Sequence, residues 1–230
     1  MRVPYPLRLV AVALVLTMSA AGQQRSDVRV HLAIPGQAKG VDPPAVVWLK
    51  PIDGTPELPF APKRTYRLLQ KNRMFTPHLL VIPVGSKVDF PNADPFFHNV
   101  FSLFDGKRFD LGLYEAGSDK QVVFSREGVS YVFCNIHPEM SAVVLALTTP
   151  LYAVTDPGES AVIHGVPRGD YQFAAWVEGV PQGALNSLSR TVHVSGTEVD
   201  LGTVTIPIAP VTGHTNKFGE PYDTHPKNPY

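Results

Sequence analysis

Cysteine is nearly absent: the chain of 230 residues holds one, Cys134. A single thiol in an oxidising compartment forms no internal disulfide, so it is buried and inert, paired with another molecule, or holding a metal. Charge of one sign is missing too, with 20 basic against 20 acidic residues. Setting aside Arg2 and Arg8 of the first 22 residues leaves 18 against 20, a balance of −2, so nothing indicates a nucleic-acid surface. Beyond that start no segment sustains a helical period, and 23 prolines would interrupt most long helices.

The start itself reads MRVPYPLRLVAVALVLTMSAAG: two arginines, an apolar run over residues 9 to 16, then small residues ending at Ala20, Ala21 and Gly22. This is the pattern of a secretory signal peptide over residues 1–22, with cleavage expected after Ala21 or Gly22. The run is too short for a permanent span and is followed by polar QQRSD, so no stable membrane span is expected after cleavage. Retention as an uncleaved anchor is the alternative. The expected location is periplasmic or secreted.

Short apolar or alternating segments recur through the rest: VRVHLAI, AVVWL, HLLVIPV, SKVDF, KQVVFS, SYVFC, AVVLALT, DYQFAAWV, RTVHVS and DLGTVTI. They read as strands, with Gly and Pro clusters as turns, and the expected class is all-β. One strand-dense unit, residues 61–148, reads as self-contained. Residues 26–60 and 149–208 would form a second small β-sandwich interrupted by the first, a tolerated way to join domains. A tandem arrangement, with 28 to 50 packing on the first unit, is the alternative. Residues 209–230 are polar with few aliphatics, a tail that is disordered or draped over the surface.

The chemistry concentrates in YVFCNIHPEM. A Cys, a His and a Met there can be a metal site, a nucleophile with its base, or plain core. SYVFC ends one strand and SAVVLALT begins the next, so Cys134, His137 and Met140 share a short loop that Pro138 stiffens. Thiolate, imidazole and thioether are soft or borderline donors that select copper over calcium or magnesium. A trigonal copper site needs a second histidine, and His98 also lies just past a strand, SKVDFPN, in a Phe-rich setting. His2Cys with a weak axial Met is the ligand set of a blue copper centre. His78, in FTPHLLV, reads as a strand residue rather than a ligand; His31, His164, His193, His214 and His225 share no spacing.

CNIHPEM resembles the Cys-x-x-His-x-x-Met loop of amicyanin, and IPVGSKVDFPNADPFFHNV resembles the strand and first-histidine segment of plastocyanin-like cupredoxins. FDLGLYEAG and NKFGEPY are similar to a periplasmic plastocyanin-like group labelled for methylamine utilisation. IHGVPRGDYQFAAWVEG resembles the G-x-P-x-G-x-Y turn of carboxypeptidase-regulatory or transthyretin-like sandwiches. These resemblances imply a cupredoxin Greek-key β-sandwich plus a second small β-sandwich. They imply one type 1 copper per chain on His98, Cys134, His137 and Met140. The cupredoxin pattern also implies that Asn99 points its backbone N–H at the Cys134 sulfur and ties the two ligand loops with its side chain.

The implied function is a periplasmic blue copper protein carrying single electrons. Four protein ligands leave no open coordination position, and the chain lacks both a His-x-His pair and a second cysteine, so catalysis is not expected. His137 offers the shortest covalent path to the surface, with Phe96, Phe97 and Phe133 expected to shield the metal elsewhere. Ile136, Pro138 and Glu139 would then form the docking face for a redox protein such as a periplasmic c-type cytochrome or dehydrogenase. Two other readings stay open: a copper carrier or storage protein, and a scaffold with a vestigial copper site.

Overall fold

The computed structural model describes residues 24–35, 43–103, 106–155, 159–207 and 215–222. The expected signal peptide, His214 and His225 lie outside them. The strands are β1 (Arg25–Ala33), β2 (Ala45–Pro51), β3 (Tyr66–Arg67), β4 (Leu69–Lys71), β5 (Met74–Thr76), β6 (Leu79–Pro83), β7 (Ser86–Asp89), β8 (His98–Ser102) and β9 (Phe109–Tyr114). They continue as β10 (Gln121–Phe124), β11 (Gly128–Cys134), β12 (Ser141–Leu147), β13 (Tyr152–Thr155), β14 (Ser160–Pro167), β15 (Gly169–Val177), β16 (Arg190–Val194) and β17 (Glu198–Thr205), with one short helix, α1 (Gln182–Asn186), before β16. The described chain is all-β apart from that helix, and its sheets pack as sandwiches.

A five-stranded sheet in the order β6-β12-β11-β8-β9 faces a three-stranded sheet, β10-β7-β3, across one core: Val100, Val132, Cys134, Met140, Val144 and Ala146 meet Val88, Phe90, Val122 and Phe124. The first two strands pair instead with the last ones. β1 lies between β14 and β17, and β2 between β13 and β15 with β16 beyond, so residues on either side of the central segment share sheets.

The segment that reads as self-contained contributes to both cores. Along β12, Ala142, Val144 and Ala146 point into the core that holds Cys134, while Val143, Leu145 and Leu147 point into the other, against strands of the flanking sandwich. β6 divides the same way, Leu80 and Ile82 against Leu79 and Val81, and so does β11, Val132 and Cys134 against Val129 and Tyr131. Successive side chains alternate faces, and a strand covered on both sides has no need of polar residues. That is why AVVLAL runs without one. The Trp176 indole N–H donates to the Tyr131 hydroxyl at 3.0 Å across this boundary.

The G-x-P-x-G-x-Y turn has a steric explanation. A Cβ on Gly169 would lie 2.6 Å from Thr55 side-chain atoms, and the Tyr171 hydroxyl reaches back to the Pro167 carbonyl at 2.8 Å. Within the tail, residues 215–222 lie against the ends of β9 and β11.

A wall shared by two cores should make unfolding cooperative. Both tryptophans, Trp48 and Trp176, report on the flanking sandwich and the single thiol on the other core. Urea unfolding followed by fluorescence and by Cys134 reactivity should give one coincident transition. Leu145→Ala should move both probes together, costing about 2–5 kcal/mol. Separate midpoints would show that the two cores unfold independently.

Candidate metal centre

His98 opens β8 and Cys134 closes β11, and these strands are antiparallel neighbours with Cys134 opposite Val100. The loop to β12 is fixed by its own backbone. The Met140 N–H donates to the His137 carbonyl at 3.1 Å, which closes a turn with Pro138 in the position that its ring favours. The Cys134 N–H donates to the Met140 carbonyl at 3.2 Å, and the Asn135 N–H to the Asn99 carbonyl at 2.9 Å. The two segments are thus joined main chain to main chain. The Asn99 amide, expected to make this tie, donates instead to Asp110 Oδ1 at 2.6 Å, because β9 runs alongside.

Cys134 Sγ lies 3.6 Å from His98 Nδ1 and 3.6 Å from His137 Nδ1, and the two nitrogens are 3.2 Å apart. Donors so spaced are each about 2.0 Å from their common centre, the length of a first-row metal–nitrogen bond and a little shorter than the metal–sulfur length of about 2.3 Å. The chemistry of the set, one thiolate and two imidazoles, suits copper or zinc and not a hard cation. Cys134 and His98 are buried and His137 is half-buried. Met140 is fully buried in the same apolar cluster as Cys134.

Burial pushes the Cys134 thiol up, against the pull of backbone N–H groups from Asn99, Ile136 and His137 aimed at the sulfur. Burial also lowers both histidines; Asp94 opposes this at His98, and the neighbouring His98 adds to it at His137. Neutral imidazoles are what a metal needs.

The sequence reading missed Asp94. Its Oδ2 accepts the His98 Nε2–H at 2.9 Å, which leaves the Nδ1 lone pair facing the centre. The Asn72 and Arg73 N–H groups also donate to this carboxylate, at 2.6 and 3.0 Å. Both residues have φ of 56° at the tip of the β4–β5 hairpin, a conformation costly for Arg. Burial opposes ionisation of Asp94, yet the Arg73 N–H, the His98 ring and the Asn72 N–H carry its pKa below the usual carboxylate value. Buried Asn92 shapes the loop, donating to the Phe96 carbonyl and accepting the Asp94 N–H. An acid four residues before a ligand histidine was the available signal; in NADP it reads as a turn former.

Of the three rings expected to shield the metal, Phe96 lies at the site while Phe97 and Phe133 lie elsewhere. Phe96 packs on both imidazoles, with centroids 5.3 Å from His98 and 5.4 Å from His137, under the Arg73 guanidinium. Phe97 is 54% exposed. Phe133 neighbours Cys134 along β11 and so points to the opposite face, against Phe101. Ile136, Pro138 and Glu139 are exposed. His78 is held elsewhere, between the Ser141 carbonyl and Glu178, and His164 and His193 pair with Asp27 and Asp170.

No family model matches the chain, and no curated protein does. Among solved structures it is similar to a purple cupredoxin from Nitrosopumilus maritimus, with 28% identity over 36% of this chain and 99% of that one, TM-score 0.33. It is similar also to the amicyanin of Paracoccus versutus, with 19% identity over 38% and 85%, TM-score 0.34. A copper-containing nitrite reductase from Thermus scotoductus shares 22% identity over 39% of this chain and 25% of its own length, TM-score 0.35. No helix among the described residues is long and apolar enough to cross a membrane.

Asp94→Asn should weaken Cu(II) binding about 10- to 100-fold, measured by competition with a chelator of known affinity. An unchanged affinity would show that the carboxylate does not support His98 as a ligand.

Proposed function

We propose that the chain is an electron carrier with one type 1 copper on His98, Cys134, His137 and Met140, and that it is not an enzyme. The observation that carries this reading is the convergence of Cys134 Sγ and two Nδ1 atoms within 3.6 Å of one another, held by the ends of β8 and β11 and by the loop that follows β11. Copper bound there would supply a one-electron couple. The chain's part is to keep its donors still when the charge changes. Cys134 and His98 are fixed by β11 and β8, His98 by Asp94, and His137 by its turn. Three backbone N–H groups aimed at the sulfur oppose the burial that pushes its pKa up.

The same reading places the protein outside the cytoplasm and its partner, a c-type cytochrome or dehydrogenase, at the His137 end. There Ile136 is 44% exposed, and Pro138 and Glu139 stand in solvent. A small apolar face with a charge in it suits brief contact. The flanking sandwich, as a carboxypeptidase-regulatory-like module, would serve as scaffold.

Voltammetry tests the carrier directly. The wild type should give a reversible one-electron wave, Cys134→Ser none while staying folded, and Met140→Leu a wave at higher potential, since a thioether favours Cu(II) slightly. Tight Cu(I) binding without a reversible wave would favour copper storage instead. Ile136→Lys should slow stopped-flow exchange with the partner by a factor of about 5 or more, with the spectrum unchanged. A wild-type rate would move the docking face elsewhere.

A further inference from the structure

The eight described residues of the tail are more ordered by their own bonds than their composition suggests. Asn216 accepts the Gly219 N–H on its carbonyl and the Phe218 and Glu220 N–H groups on its side chain, and its own N–H donates to the Glu220 carbonyl. This tight turn presents three anchors. The Lys217 N–H donates to Asn135 Oδ1 at 2.9 Å, the Lys217 ammonium meets Asp110 Oδ2 at 2.8 Å, and the Tyr222 hydroxyl donates to the Cys134 carbonyl at 3.0 Å.

The receiving residues belong to the metal centre. Cys134 is a ligand, Asn135 follows it, and Asp110 also takes the amide of Asn99, which follows His98. The Lys217–Asp110 pair is partly exposed and contributes little on its own. The other two bonds grip the loop backbone and its first side chain, each with a net stabilisation of the usual small size. Burial pushes Tyr222 up to about 12, so its hydroxyl keeps the proton it donates at neutral pH.

We propose that residues 215–222 are a clasp, with Lys217 and Tyr222 as positioning residues that hold the Cys134–His137 segment closed over its donors. The clasp acts on the metal-free chain. Its effect on copper retention rests on the reading under Proposed function.

The test uses the full-length, metal-free protein and its one thiol. Tyr222→Phe removes a single hydroxyl and should raise the rate of Cys134 alkylation by iodoacetamide about three- to tenfold. Lys217→Ala with Tyr222→Phe should raise it at least as much, with the thermal midpoint of the frame nearly unchanged. In the wild type the Lys217 amide should be protected from hydrogen exchange. Equal alkylation rates in all three proteins, or a Lys217 amide that exchanges at the rate of an open chain, would overturn the clasp. Faster alkylation in a protein that binds no copper would leave the clasp standing and sink the carrier. A normal copper wave with unchanged alkylation would do the reverse. In the loaded protein, Cu(I) should pass from Tyr222→Phe to a chelator faster by a similar factor, and an equal transfer rate would overturn the copper half of the proposal.

Discussion

The register between β8 and β11 is the constraint on which the centre depends. Cys134 opposite Val100 and Phe133 opposite Phe101 set the sulfur beside His98, the residue that opens β8. A slip by one residue would turn Cys134 to the other face and bring Phe133 inward. Burial forbids it: Val100, Val132 and Cys134 are fully buried in one core, and Phe101 and Phe133 are buried against each other on the opposite face. The centre is therefore positioned by apolar packing, and the loop has only to deliver His137 and Met140. Its turn and its main-chain bond to Asn99 do so.

Around this frame the polar groups act as a second set of constraints, some tied to backbone and some to neighbouring side chains. Asp94 is gripped by two amides of a strained hairpin tip before it reaches His98. Asp110 joins Asn99 to Lys217. Such arrangements limit how far the donor side chains can move, which suits the proposed electron carrier. The shared wall extends the restriction further, because β12 leads directly from Met140 into a strand packed on both faces.

Much of this was legible in the sequence. The strand ends around CNIHPEM and HNV, the soft donor set and the all-β pattern are local and survive any detail of packing. The apolar run of β12 reads as one more strand of a unit complete in itself, and its burial on two faces comes from contacts with the flanking sandwich. What escaped depends on contacts distant in sequence or on atoms that hydropathy ignores. Asp94 looks like a turn residue until its carboxylate is seen between Arg73 and His98. The tail has few aliphatics, so nothing in its composition marks Lys217 N–H or the Tyr222 hydroxyl as anchors. The two-residue alternation of a strand puts Phe133 on the face opposite Cys134, away from the centre.

On the proposed reading the chain alone brings one thiolate and two imidazoles into a trigonal copper site. Visible absorption during titration of the metal-free protein with Cu(II) tests it most directly. An intense thiolate-to-copper band should grow linearly and saturate at one equivalent. A colourless complex, or a spectrum without that band at full occupancy, would contradict it.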